Sequence, residues 1–77
     1  MGLWVSRTQV VNRLRDDDWT FQRKGERVEI YRKRGTTLRV DVPLRDLLPE
    51  VTVRTIFRHA KLTPDQVEDF LKHCIKS

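Results

Sequence analysis

Apolar and polar positions recur with two different periods along this chain, and the changes of period divide it into segments. Ser6-Arg7-Thr8-Gln9 reads as a capping box, in which the Ser6 hydroxyl accepts from an orphan backbone N–H and Gln9 reaches back. Val10, Val11 and Leu14 then line one helical face. The run Asp16-Asp17-Asp18 opposes the helix macrodipole, so the helix should stop near Arg15 or Asp16. From there the period drops to two. Trp19, Phe21 and Arg23 alternate with Thr20, Gln22 and Lys24, and Gly25 supplies a turn. Val28 and Ile30 alternate with Glu29 and Tyr31, and Lys33-Arg34-Gly35-Thr36 makes a tight reversal with Gly35 suited to positive φ. Leu38, Val40 and Val42 alternate with Thr37, Arg39 and Asp41 until Pro43 closes the strand. Strict alternation means one face buried and the other wet.

Helical spacing then returns. Thr52 can cap a helix in which Val53, Ile56, Phe57 and Ala60 share a face. Thr63-Pro64-Asp65-Gln66 opens another, with an N-cap, proline at the first position and glutamine at the third. Val67, Phe70, Leu71, Cys74 and Ile75 form its stripe. The predicted fold is α+β: helix, three-stranded antiparallel sheet, helix, helix, in one domain over residues 1–77, with 1–5 as a flexible tail. Trp19 falls in phase with Phe21 and belongs to the core. Tyr31 falls opposite Val28 and Ile30, which exposes it among arginines where it can stack on a base, or packs it against a helix edge. Trp4 makes a satellite contact or lies in the tail.

Charge changes the picture most. The chain carries a formal +5. Residues 19–39 hold seven basic side chains, Arg23, Lys24, Arg27, Arg32, Lys33, Arg34 and Arg39, against Glu26 and Glu29, while the other positions balance at nine of each sign. The whole excess therefore falls on the strands and their turns. It reads as a phosphate-binding surface, because lysine and arginine release counterions from a nucleic acid and the arginine fork matches phosphate. The alternative is a solvated face whose charges protect a sheet edge.

Other chemistry narrows the choice. One cysteine, Cys74, allows no internal disulfide, which fits a reducing cytoplasm, and its place on the apolar stripe makes it a small buried hydrophobe. Two isolated histidines and one cysteine make no metal site, and no cofactor is expected. His59 suits the C-terminal end of its helix, and His73 lies beside the last stripe. No apolar run is long enough to span a membrane, the start is too short for a signal peptide, and Gly2 with Ser6 fits only a loose myristoylation pattern.

The order of these motifs resembles that of the HicA-like (YcfA-like) toxins. Asp18-Trp19-Thr20-Phe21 enters the first strand, Lys24-Gly25 sits at the turn, and Glu29-Ile30-Tyr31-Arg32 lies in the second strand. Val40-Asp41-Val42-Pro43 ends the third, and Thr52-Val53-Arg54-Thr55-Ile56-Phe57-Arg58-His59-Ala60-Lys61-Leu62 gives the next helix. The similarity runs from about Ser6 to Leu71. It implies a fold like a double-stranded-RNA-binding domain, a toxin–antitoxin role, cleavage of mRNA and neutralisation by a HicB-like antitoxin. In that family the histidine of the turn is the proposed catalytic residue. Here the turn reads Lys24-Gly25-Glu26-Arg27-Val28-Glu29, one residue longer than the common form. The histidine position is Arg27 counted from Gly25, or Val28 counted back from Ile30-Tyr31. Arginine can bind phosphate but cannot act as a base at neutral pH. No catalytic residue is therefore assigned, and the enzyme assignment stays open. The RNA-binding set is Arg23, Lys24, Gly25, Arg27, Tyr31, Arg32, Lys33, Arg34 and Arg39. A non-catalytic RNA-binding relative and a basic protein that docks an acidic partner are the competing readings. The sequence leaves the oligomeric state open.

Overall fold

The computed structural model describes residues 3–76, running β1 (Trp4–Ser6), α1 (Arg7–Asp16), β2 (Trp19–Lys24), β3 (Val28–Lys33), β4 (Arg39–Pro43), β5 (Leu47–Pro49), α2 (Glu50–His59) and α3 (Pro64–Lys76). The expected α+β order is present: a helix, an antiparallel sheet in the order β2-β3-β4, and two helices. Gly2 and the side chain of Ile75 lie outside the described residues.

One pairing was not expected. Trp4–Ser6 is a strand rather than a tail, and it pairs antiparallel with β5, Val5 facing Leu48. Val5 and Leu48 are both fully buried, while Trp4 stands exposed. Residue 1 of the expected tail, like Gly2, lies outside the described residues. The pairing also explains why the capping box at Ser6 does not form. Ser6 is committed to β1 and makes no side-chain cap, and the Arg7 N–H donates instead to the Asp46 carbonyl at 2.9 Å. The helix still ends at Asp16, with Asp18 at φ 68° beyond it.

The N-terminal signal is realised at α3 and not at α2. The Thr63–Gln66 capping box is complete: the Thr63 N–H donates to Gln66 Oε1 at 2.9 Å, and the Gln66 N–H to Thr63 Oγ1 at 3.2 Å. The α2 helix starts at Glu50, earlier than the expected cap at Thr52, with Pro49 extended before it. Thr52 lies inside the helix. At its other end Lys61 takes φ 66°, and the N–H groups of Leu62 and Lys61 return to the carbonyls of Phe57 and Arg58. That is a Schellman ending built without glycine.

The core joins Val10, Val11 and Leu14 of α1 to Val53, Ile56 and Phe57 of α2, and to Val67 and Leu71 of α3. The sheet contributes Trp19, Tyr31, Val40 and Val42. Phe57 and Phe70 close the α2–α3 contact edge to face at 4.9 Å. Cross-strand partners share a sheet face, and successive rows alternate. The rows Phe21–Tyr31–Val40 and Lys24–Glu29–Val42 therefore face the helices. The rows Thr20–Arg32–Arg39 and Arg23–Ile30–Asp41 face away from them.

This corrects three expectations. Tyr31, not Ile30, points into the core, and Tyr31 keeps only 2% of its surface exposed. Phe21 is not core: it is 48% exposed at the edge of the sheet. Leu38, another expected inward residue, is also partly exposed, just before β4 begins.

Candidate nucleic-acid interface

The register of the sheet sorts the basic residues by face. Arg32 on β3 stands directly opposite Arg39 on β4, in a row that faces away from the helices. Arg23 occupies the next row on that face, opposite Ile30. It arrives there because the β2–β3 register shifts between Phe21 and Arg23, leaving Gln22 as an unpaired extra residue. Without that bulge, period two would keep Arg23 in phase with Phe21, toward the helices. Ile30 lies on the arginine face outside the main core cluster, yet is only 6% exposed. Arginine stems can supply such cover while their charged heads stay in water.

Like charges placed directly across a sheet destabilise it. Asp41 stands in the adjacent row of the same face, but neither Arg32 nor Arg39 makes an ion pair with it or with any other carboxylate among the described residues. Among the described residues, Arg23, Lys24, Arg27, Arg32, Arg34 and Arg39 make no ion pair. Arg32 is oriented by its own hairpin, its Nε donating to the Thr36 carbonyl at 2.9 Å. That bond leaves the two terminal amino groups of the guanidinium for a ligand. Arg34 and Gly35 form the tip of this hairpin, with Gly35 at φ 76° as its sequence suggested. The residues of the tip line a shallow concavity with Thr20 and Arg32. At the opposite end of the sheet, Lys24, Gly25 and Arg27 form the β2–β3 turn. The Gly25 N–H donates to the Val28 carbonyl at 2.8 Å, and a side chain at Gly25 would press on Val28 at 3.1 Å.

The expected set is thus divided. Arg23, Arg32 and Arg39 share the uncovered face, Arg34 joins them at the hairpin tip, and Arg27 lies at the far turn. Lys33 is on the helix-facing side, where its Nζ pairs with Asp17 at 3.2 Å. Lys24 shares the row of Glu29 on that same side. Tyr31 is removed from the surface, and its expected role as an exposed stacking residue is overturned. Its hydroxyl donates to Glu29 Oε1 at 3.1 Å, and Glu29 in turn pairs with Arg7. Burial, then the Glu29 carboxylate, push the Tyr31 phenol up, while Arg7 holds the Glu29 carboxyl below its ordinary range. Arg7 is also engaged through Nε, which donates to the Pro43 carbonyl at 3.0 Å.

The histidines lie away from the β2–β3 turn. His59 ends α2 and lines a groove against β4 together with Arg39 and Asp41. His73 is exposed on α3, with Nδ1 2.8 Å from the Asp69 carbonyl oxygen. The turn itself presents Arg27 and Val28 where the resemblance expects histidine. Burial pushes the Cys74 thiol up, away from the reactive thiolate. No cluster of metal-ligating side chains occurs among the described residues, and none of their helices is long and apolar enough to cross a membrane. Comparison with protein-family models, curated proteins and solved structures returns no match.

Proposed function

We propose that this protein binds RNA across the uncovered face of its three-stranded sheet. The observation that carries this is the Arg32–Arg39 pair, held directly opposite with Arg23 in the next row, none of the three making an ion pair among the described residues although Asp41 shares the face. Asp41 is the one acidic side chain in the two rows that face away from the helices, and a merely solvated face would gain by interspersing more such charges. A face that meets phosphates gains by concentrating them, since each neutralised phosphate releases counterions. The order of the sequence motifs resembles that of HicA-like toxins, and on that resemblance the biological reading is the toxin component of a toxin–antitoxin pair. Its partners would be RNA and a HicB-like antitoxin, in the cytoplasm.

Binding without cleavage is the form of this reading that the site favours. General acid–base cleavage of RNA needs a group that titrates near neutrality within reach of the 2′-hydroxyl. The β2–β3 turn offers Arg27 and Val28 instead. The groove holding His59 and Arg39 is the place to test for residual activity. The experiment is RNA binding and message cleavage measured on one sample across salt. Salt-sensitive binding with intact message is the expected result. Shortening of the message that disappears in His59→Ala or Arg27→Ala would restore the mRNA-cleaving reading. Absence of RNA binding even at low salt would leave the basic face to an acidic protein.

A further inference from the structure

We infer that the concavity between α1 and β2 takes one unpaired nucleobase of a single-stranded RNA, stacked on Phe21. This rests on the RNA reading above and names the form of RNA and a residue that holds it. Phe21 is an aromatic ring exposed over about half of its surface, 48%, in a chain whose excess charge lies on the surrounding strands. Its orientation is backed by a buried ring and a part-buried ion pair. The ring meets Tyr31 edge to face at 5.9 Å and 75°, Tyr31 is tied to Glu29, and Glu29 is tied to Arg7 on α1. A platform held this way loses little side-chain entropy when a ligand covers it.

The walls suit a nucleotide better than a plain apolar ligand. Asn12 and Arg15 of α1 line the same concavity. The Asn12 amide offers one acceptor and two donors to a base edge. Arg15 makes no ion pair among the described residues, and Lys24 stands on the same sheet face. Both are placed to meet flanking phosphates. Arg7 is not, because Glu29 and the Pro43 carbonyl occupy it.

The geometry selects a single strand. β2 is an edge strand whose Thr20 and Arg23 face the arginine side while Phe21 faces the concavity. A chain passing over that edge contacts both. Bases inside an A-form duplex are stacked on one another, and their faces cannot be reached, whereas an unpaired base can be splayed onto an aromatic ring.

The test compares a single-stranded oligonucleotide of RNA with a duplex of equal length, binding to the full chain and its Phe21 variants at fixed salt. Phe21→Ala and Phe21→Leu should each weaken single-strand binding about tenfold or more, the effect of losing one base–aromatic stack. Phe21→Trp should retain it, duplex binding should stay unchanged, and the salt slope should not move because no phosphate contact is lost. Phe21→Leu keeps apolar bulk against Tyr31, so a loss it shares with Phe21→Ala is not unfolding. RNA binding that is indifferent to all three variants would overturn the Phe21 inference and leave the RNA reading standing. Equal losses on single strand and duplex would also overturn it. Failure of the unaltered protein to bind either RNA would overturn both.

Discussion

Lys61 and Glu29 show how single residues carry measurable energy here. Lys61 sits in the left-handed region at φ 66°, where a side chain costs about 1–2 kcal/mol and glycine does not. Lys61→Gly should therefore stabilise the protein by about 0.5–1 kcal/mol, part of the relief being offset by a more flexible unfolded chain. Chemical denaturation reads this directly, and a loss of stability would refute the strain. Glu29 has a lowered pKa because Arg7 holds it charged. The stability it supplies is complete above its unfolded value of about 4.5 and is lost as pH falls through the lowered one. Tyr31 behaves oppositely: its raised pKa supplies stability below about 10.0 that is lost as pH rises further. Glu29→Gln should flatten the acid limb of melting temperature against pH, and Tyr31→Phe the alkaline limb. The Tyr31→Phe change should also cost about 1 kcal/mol at neutral pH. Neither role was legible in the sequence. Period two puts Val28 and Ile30 toward the helices, but the Tyr31 ring and the Arg7–Glu29–Tyr31 contacts bring the other phase there, and those depend on partners distant in sequence.

The elements differ in how far local chemistry decided them. The Thr63–Gln66 box needed only its own four residues and was legible. Ser6 carried an equally good local signal, but pairing of β1 with β5 claimed it first. Those strands are three residues each and lie far apart in sequence, too short to announce themselves by periodicity. The Gln22 bulge was likewise invisible, because nothing local distinguishes an extra residue from an ordinary one. It has a large effect, turning Arg23 to the arginine face and leaving Phe21 on the edge. At this scale the opposed pair makes a sharp prediction. Arg39→Thr should raise stability by about 0.2–1 kcal/mol, since it removes a like-charge cross-strand contact and places a good strand former at an edge. The same substitution should weaken RNA binding. A side chain kept only for structure would not be improved by its loss.

The whole molecule is a thin two-layer domain, with extents of 33 × 26 × 17 Å and one sheet face left to solvent. Its core depends on a few large side chains, among them Trp19, Phe57 and Leu14. A chain of this length has a total stability of roughly 4–12 kcal/mol. Phe57→Ala, at about 3–5 kcal/mol, should remove a large share of it and shift the thermal transition far down. The charge segregation was legible from the start, because a meander must bring residues 19–39 together. Which of those charges share a face was not, since that depends on the bulge and on the direction of Tyr31. The central claim is that Arg23, Arg32 and Arg39 meet RNA phosphates together. The most direct measurement is the slope of log affinity for a single-stranded RNA against log salt concentration, for the unaltered protein and for Arg32→Thr and Arg39→Thr. Each substitution should lower the slope by about 0.7, the value for one single-strand phosphate contact, with the melting temperature unchanged or higher. Slopes that match the unaltered protein, in variants that remain folded, would contradict the account.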